Sequence, residues 1–245
     1  MILSKLRCVN LSTCYKLILF DLDDTILHFD DYWEDSTKET FRQYPFTMDI
    51  NTDQLFEVYR QKEKIYVDLY HQQKITIYEY RTFRFIQTLA EFNKVADEST
   101  ATSFERLYAS ISKSFMKVNP ELLNVLGQLT KVYQLGIVTN GTADIQYDKI
   151  NAIGIKPFFP NGTIFISEEI GYEKPSPQIY QKALNYFGVS SEETLFVGDS
   201  WENDVEGPAK IGIHCVWFNR KQQMTKEYPT PKAIIKNINE LMEHL

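Results

Sequence analysis

Lys16-Leu17-Ile18-Leu19-Phe20-Asp21-Leu22-Asp23-Asp24-Thr25 is the stretch on which the fold turns. Its four apolar residues are too few for a helical stripe and stop abruptly at carboxylates, as a short strand buried on both faces would. Four later runs have the same character: Leu135 to Thr139, Thr163 to Ile166, Thr194 to Val197 and Ile213 to Trp217. Helix starts lie between them. Asn119-Pro120 and Ser176-Pro177 each set a capping residue before a proline at the first helical position, and Gly188 stands where a helix-terminating glycine belongs. Apolar strands alternating with helices predict a parallel sheet covered on both faces, an α/β core of five strands.

Between the first strand and the second the composition changes. All 10 glycines lie at or after Gly127, so the earlier segment lacks the residue that tight strand-to-helix turns use. From Tyr32 to Phe115 the apolar residues recur at three- and four-residue steps. One stripe runs Leu55, Val58, Tyr59, Lys62, Tyr66, Leu69 and Tyr70, a second Tyr78, Phe85, Ile86, Leu89 and Phe92, and a third Phe104, Leu107, Tyr108, Ile111 and Phe115. Each predicts a helix with one buried face. Pro45, between stripes, marks a helix–helix connection. A helical block therefore interrupts the α/β core after its first strand.

The 245 residues include 26 basic and 33 acidic side chains, a formal net charge of −7, which argues against a nucleic-acid polymer as partner. No run approaches the roughly 18 apolar residues of a membrane span, and no secretory signal is read in the first residues. Cys8, Cys14 and Cys215 are too scattered for a disulfide framework or metal site, so a reducing, cytoplasmic location is expected.

In an open parallel sheet ligands bind beyond the carboxyl ends of the strands. There the sequence places Asp21 and Asp23, then Thr139-Asn140-Gly141, then Gly198-Asp199-Ser200 with Asp204 five residues on, and Lys174 in a loop. If the strands are adjacent, four carboxylates, a lysine and a threonine converge on one crevice. Clustered carboxylates repel unless a cation sits among them, and an oxygen-only set without His or Cys suits Mg²⁺. Such a site predicts phosphoryl chemistry: a nucleophile, cationic groups for the equatorial oxygens, and a proton donor for the leaving alkoxide. Asp21 and Asp23, two apart at a strand end, should point the same way.

These segments resemble the four motifs of the haloacid dehalogenase superfamily: Asp21-Leu22-Asp23-Asp24-Thr25, Ile137-Val138-Thr139-Asn140-Gly141, Lys174-Pro175, and Gly198-Asp199-Ser200-Trp201-Glu202-Asn203-Asp204. The resemblance implies a Rossmann-like, doubly wound core of residues 15–27 and 117–245, an all-helical cap of residues 28–116, and an N-terminal extension, 1–14. It further implies that Asp21 is a nucleophile forming an aspartyl-phosphate and that Asp23 is general acid, then base. Thr139, Lys174 and the backbone of Leu22, Asp23 and Asn140 would hold the phosphoryl group. Mg²⁺ would lie between the Asp21 and Asp199 carboxylates and the Asp23 carbonyl, with Asp204 acting from behind them. Two departures stand out: Asp24 replaces a glycine common before the threonine, and Pro208 and Ile211 replace small residues after the last motif. Both are expected to be peripheral to the chemistry.

Spacing refines the subgroup. Thr139 stands 118 positions after Asp21, whereas Lys174 stands only 35 after Thr139, so the cap occupies the first insertion site. Relatives with that helical cap generally act on small molecules that it can enclose. The run Thr139 to Gln146, with Lys149, resembles the YjjG/YfnB-type branch, which contains nucleoside 5′-monophosphate phosphatases. The expected activity is thus Mg²⁺-dependent hydrolysis of a small phosphorylated metabolite, first a nucleoside 5′-monophosphate. A sugar-phosphate phosphatase or phosphomutase is the alternative, and a module that merely binds Mg²⁺ and a phosphate ligand is the non-enzymatic one. His28, Tyr32 and Trp33, close after the first motif, are the candidate substrate contacts. His71, His214 and His244 show no ligand spacing, and the cap aromatics are expected to be mostly core. Oligomeric state is left open by the sequence.

Overall fold

The computed structural model describes residues 15–72, 74–117 and 119–245, with the His71 side chain left out. The expected N-terminal extension, with Cys8 and Cys14, and the expectation for the His71 side chain lie outside the described residues. Two compact units divide the chain: residues 15–28 with 119–245, and Phe29–Lys117.

The first unit is a six-stranded parallel sheet. In chain order its strands are β1 (Leu17–Phe20), β2 (Gln134–Thr139), β3 (Ile164–Ile166), β4 (Thr194–Gly198), β5 (His214–Phe218) and β6 (Ala233–Ile235), and their spatial order is β3-β2-β1-β4-β5-β6. All five predicted strands form. The sixth is an addition: three residues following Pro229 and Pro231 give no detectable alternation. β1 sits at the point where the order reverses, with Phe20 level with Ile137 of β2 and Val197 of β4. The Asp21 amide continues the ladder, donating to Val197 O at 2.9 Å. A crevice beyond the carboxyl ends of β1, β2 and β4 follows from that topology.

The helices of the second unit are α1 (Trp33–Gln43), α2 (Thr52–His71), α3 (Ile77–Ala90) and α4 (Glu98–Ser112); those of the sheet unit are α5 (Pro120–Leu129), α6 (Ala143–Ala152), α7 (Ser167–Ile170), α8 (Pro177–Phe187) and α9 (Gly207–Ala209). The Asn119 side chain accepts from the Glu121 and Leu122 amides at 3.0 and 3.4 Å, as its place before Pro120 predicts. Ser176 is different. Its position before α8 is as expected, but its hydroxyl bonds the Gln178 side chain and caps no amide. Gly188 closes α8 in the left-handed conformation, φ 65°. The core on one side of the sheet joins Leu19, Phe196 and Trp217 to Ile179, Tyr180 and Ala183 of α8.

Within the helical unit, Phe41, Tyr59, Phe85, Leu89 and Phe104 form a core in which the Phe85 and Phe104 rings stack at 4.3 Å. α1 buries Ser36, Thr37 and Thr40 beside Phe41, a small-residue face that apolar periodicity could not reveal. The α2 stripe is buried only in its first half, for Leu55 and Tyr59 are covered while Tyr70 is exposed. Arg84 is buried between Glu63 and Glu105, its guanidinium over the Tyr59 and Tyr80 rings. No helix among the described residues is long and apolar enough to cross a membrane.

Candidate active site

The chain leaves β1 at Phe20 and turns at once. Ile26 and Leu27 both donate their amides to Leu22 O, and Asp24 takes φ 57°, the left-handed region that favours glycine but tolerates aspartate. The departure at Asp24 is therefore compatible with the turn, and Lys221 holds its carboxylate at 2.7 Å. The turn leaves Asp21 buried in line with the strand.

Lys174 is the pivot of the first group. Its Nζ lies 2.7 Å from Asp21 Oδ1 and 2.7 Å from Asp204 Oδ1, and all three side chains are buried. Asn140 fixes the Lys174 backbone from both sides, donating Nδ2–H to Lys174 O at 2.9 Å and accepting from Lys174 N at 2.7 Å. Asp204 rides on a π-helix, Trp201–Glu206, a rare turn frequently found at functional sites, and its Oδ2 accepts from Ser200 N at 2.9 Å. Asp199 completes the group. Trp217 Nε1 donates to its carbonyl at 2.8 Å, and Thr25 Oγ1 donates to its Oδ1 at 3.4 Å. Asp21, Asp199 and Asp204 each offer an oxygen within 4.8 Å of the others.

Asp23 lies beyond the strand, so the alternation that would have it point with Asp21 no longer operates. It has partners of its own on α6. Lys149 Nζ contacts both its carboxylate oxygens, at 2.7 and 2.8 Å, and Gln146 Nε2 donates to Oδ2 at 3.0 Å. The same amide reaches Thr139 Oγ1 at 2.7 Å and Asn140 O at 3.0 Å. The expected single convergence is thus two linked groups: a carboxylate–lysine cluster, and an Asp23–Thr139 pair joined through Gln146. Gln146 Oε1 is buried without a hydrogen-bond partner among the described residues, a loss of about 1–3 kcal/mol for such an acceptor.

Three carboxylates around one ammonium leave the first group with excess negative charge. Burial raises the Asp21 carboxyl well above the usual range; Lys174 pulls the other way, while Asp204 and Asp199 push it further up. Burial, with Asp204 and Asp24, pushes Asp199 up to about 7 against the pull of Lys174 and Lys221. Burial works to lower the proton affinity of Lys174, but Asp204 and Asp21 overcome it and raise it. An oxygen-only donor set with unbalanced negative charge fits a hard divalent cation such as Mg²⁺.

Residues 18–218 match the model of the haloacid dehalogenase-like hydrolases. The chain belongs to that family. The hydrolase is 30% identical over 219 residues to the pyrimidine 5′-nucleotidase PynA of Streptococcus pneumoniae, an alignment covering 88% of this chain and 90% of that one. It is 28% identical over 216 residues to the glyceraldehyde 3-phosphate phosphatase of Methanopyrus kandleri, covering 86% and 87%. Among solved structures it is similar to the HAD-hydrolase YfnB of Bacillus subtilis bound to magnesium, with a TM-score of 0.76, 26% identity, and coverage of 94% and 98%. It lies in the YjjG/YfnB-like branch.

The remaining candidates of the hydrolase fall in several places. His28 stacks on Phe218 with ring centroids 5.5 Å apart and contacts Asp24 O through Nδ1 at 3.1 Å. Tyr32 and Trp33 belong to the helical unit, where Trp33 packs among Phe29, Phe56 and Tyr59 as a core residue. Pro208 is buried where the π-helix passes into α9. In the sequence Gln146 and Lys149 stand out only as a branch resemblance, with no role; their spacing of three residues, on one face of the helix that follows the second motif, is the available signal.

Gly198 has a steric reason: a Cβ there would lie 2.3 Å from Asp204 Cγ. Gly198→Ala is expected to displace Asp204 and with it Lys174, lowering turnover by at least about 10²-fold, the scale of misplacing a catalytic constellation. Steady-state kinetics beside a thermal melt will separate lost placement from lost folding.

Proposed function

We propose that the chain hydrolyses phosphoric monoesters of small metabolites through an aspartyl-phosphate on Asp21, with nucleoside 5′-monophosphates as the first substrate class. The observation that carries this reading is the buried Lys174 bridging Asp21 and Asp204 at the sheet's switch point, beside Asp199. Asp21 attacks phosphorus, the bond to the leaving oxygen breaks, and Asp23 supplies the proton that turns the alkoxide into an alcohol. Water then attacks the same phosphorus and gives its proton to Asp23. Phosphate leaves and the Asp21 carboxylate is regenerated. Lys174, Thr139 and the backbone of Leu22, Asp23 and Asn140 hold the phosphoryl oxygens.

The Asp21 and Asp199 carboxylates, the Asp23 carbonyl and Asp204 behind them would hold Mg²⁺, which supplies charge neutralisation at the phosphoryl group. The pyrimidine 5′-nucleotidases among the relatives support the nucleotide reading. The glyceraldehyde 3-phosphate phosphatases favour a second, a short sugar phosphate. Either class is a small soluble metabolite of the cytoplasm.

Phosphate release across nucleoside monophosphates and sugar phosphates, with Mg²⁺ and with EDTA, tests the reading on wild type and Asp21→Asn. Metal-dependent release that is lost in Asp21→Asn is the expected result. An Asp21→Asn protein that turns over normally would sink the mechanism, and a preference for sugar phosphates would move the substrate to the second class.

A further inference from the structure

We propose that Lys149 and Gln146 are positioning residues for Asp23, holding its carboxylate for the two proton transfers of the reaction. The inference rests on the proposed function and deepens it. Three observations carry it. Asp23 is gripped at both oxygens by Lys149 and at one by Gln146. Without such contacts an aspartate at a loop position has two side-chain torsions to search, whereas a carboxylate held by two donors presents a defined direction to the leaving oxygen.

The second observation is that the Gln146 amide is shared with the phosphate-binding strand end, at Thr139 Oγ1 and Asn140 O. The proton-transferring carboxylate is thereby registered to the residues expected to hold the phosphoryl group. A flipped amide would set its oxygen against the Asp23 carboxylate and the Asn140 carbonyl, so the orientation follows from its surroundings.

Third, the chain makes room for Gln146. Gly141 has φ 148°, and a Cβ there would stand 3.0 to 3.1 Å from Gln146 Cδ, Cγ and Nε2. The glycine after Thr139-Asn140 lets the glutamine reach back under the strand end.

The test uses leaving groups that differ in their need for a proton. In the first step Asp23 protonates the leaving oxygen of an alkyl ester, a demand that p-nitrophenolate hardly makes. In the second step Asp23 accepts a proton from water whatever the ester was. For Lys149→Met, kcat on a nucleoside monophosphate is expected to fall about 10²-fold, the usual share of general acid–base catalysis, with KM nearly unchanged. With p-nitrophenyl phosphate the same variant should release one equivalent of nitrophenol in a fast burst and then turn over slowly. Lys149→Arg should recover a measurable part of the loss. In an Asp23→Asn background, Lys149→Met should have no further effect.

A Lys149→Met enzyme with wild-type kcat on the nucleotide overturns the proposal. So does an equal loss on both esters without a burst, or an additional large drop in the Asp23→Asn background, which would assign Lys149 to the phosphate instead. Gln146→Leu, expected to show the same burst more weakly, keeps the test open should Lys149→Met fold poorly. The two readings fail differently. If Asp21→Asn is inactive while Lys149→Met is unimpaired, only the positioning role falls; if Asp21→Asn turns over normally, the mechanism falls and takes that role with it.

Discussion

Lys174→Met is expected to destabilise the metal-free protein by about 3–5 kcal/mol, the cost of leaving buried charge unpaired, and to abolish turnover. Lys174 is 4% exposed and Asp204 is fully buried, so water cannot replace the ammonium. With it gone, Asp21, Asp199 and Asp204 face one another without a protein cation among them. For a chain of this length such a loss lowers Tm by roughly 10 °C. Adding Mg²⁺ should recover part of it, since the carboxylates that repel are the ones expected to ligate. Activity should not return, because the phosphoryl oxygens lose a donor that the metal does not replace. Thermal melts with and without Mg²⁺, beside phosphate release, separate the two effects. A Lys174→Met protein that melts like wild type in EDTA would show that the lysine does not neutralise this group.

From the sequence Lys174 reads as a loop residue promoted by its motif. Its burial, and hence its weight in stability, becomes visible only when Asp204 is found opposite it. The same contrast holds across the molecule. Strand ends are legible because an apolar run that stops abruptly at polar residues has few other meanings in a parallel sheet, and Asp21, Thr139 and Asp199 each stand at or just beyond such an end. β6 was not legible, being three residues held by pairing with β5 after two prolines. Nor was α1, whose buried face is Ser36, Thr37 and Thr40: small polar residues on a helix look like solvent-facing ones until Phe41 and Phe104 are seen to close over that core.

Asp23 shows a different limit. Its residue type and place mark it as a proton-transferring candidate, yet its partners Gln146 and Lys149 lie more than 120 positions away. Long-range side-chain pairing leaves no local pattern. The helix start at Thr142, the three-residue spacing and the positive φ of Gly141 are each ordinary alone. Together they describe a helix that sends two side chains to one carboxylate.

Mg²⁺ and protons are expected to compete at Asp199, with a definite sign. The metal-free folded protein holds this carboxyl up at about 7, through burial and then its acidic neighbours Asp204 and Asp24, against about 3.9 for an unfolded aspartate. Between those values the native state keeps a proton that the unfolded chain has lost, so this group's contribution is present below about pH 4 and is lost as pH rises towards 7. Surface carboxylates such as Asp49 and Asp97, held below their usual range by Lys94 and by Thr100 respectively, work in the opposite direction. They are common to wild type and Asp199→Asn and cancel in the difference. In EDTA, Asp199→Asn should therefore melt close to wild type near pH 4 and above it at pH 8. With Mg²⁺ the order should reverse, because the ionised carboxylate is the ligand: at one hundred times its dissociation constant a bound ion stabilises by about 2.7 kcal/mol, a gain the variant should largely lack. The wild-type gain should shrink as pH falls through 7 and protons reclaim the site. A Mg²⁺-induced rise in Tm that is equal in both proteins, or flat from pH 5 to 8, would remove Asp199 from the metal site.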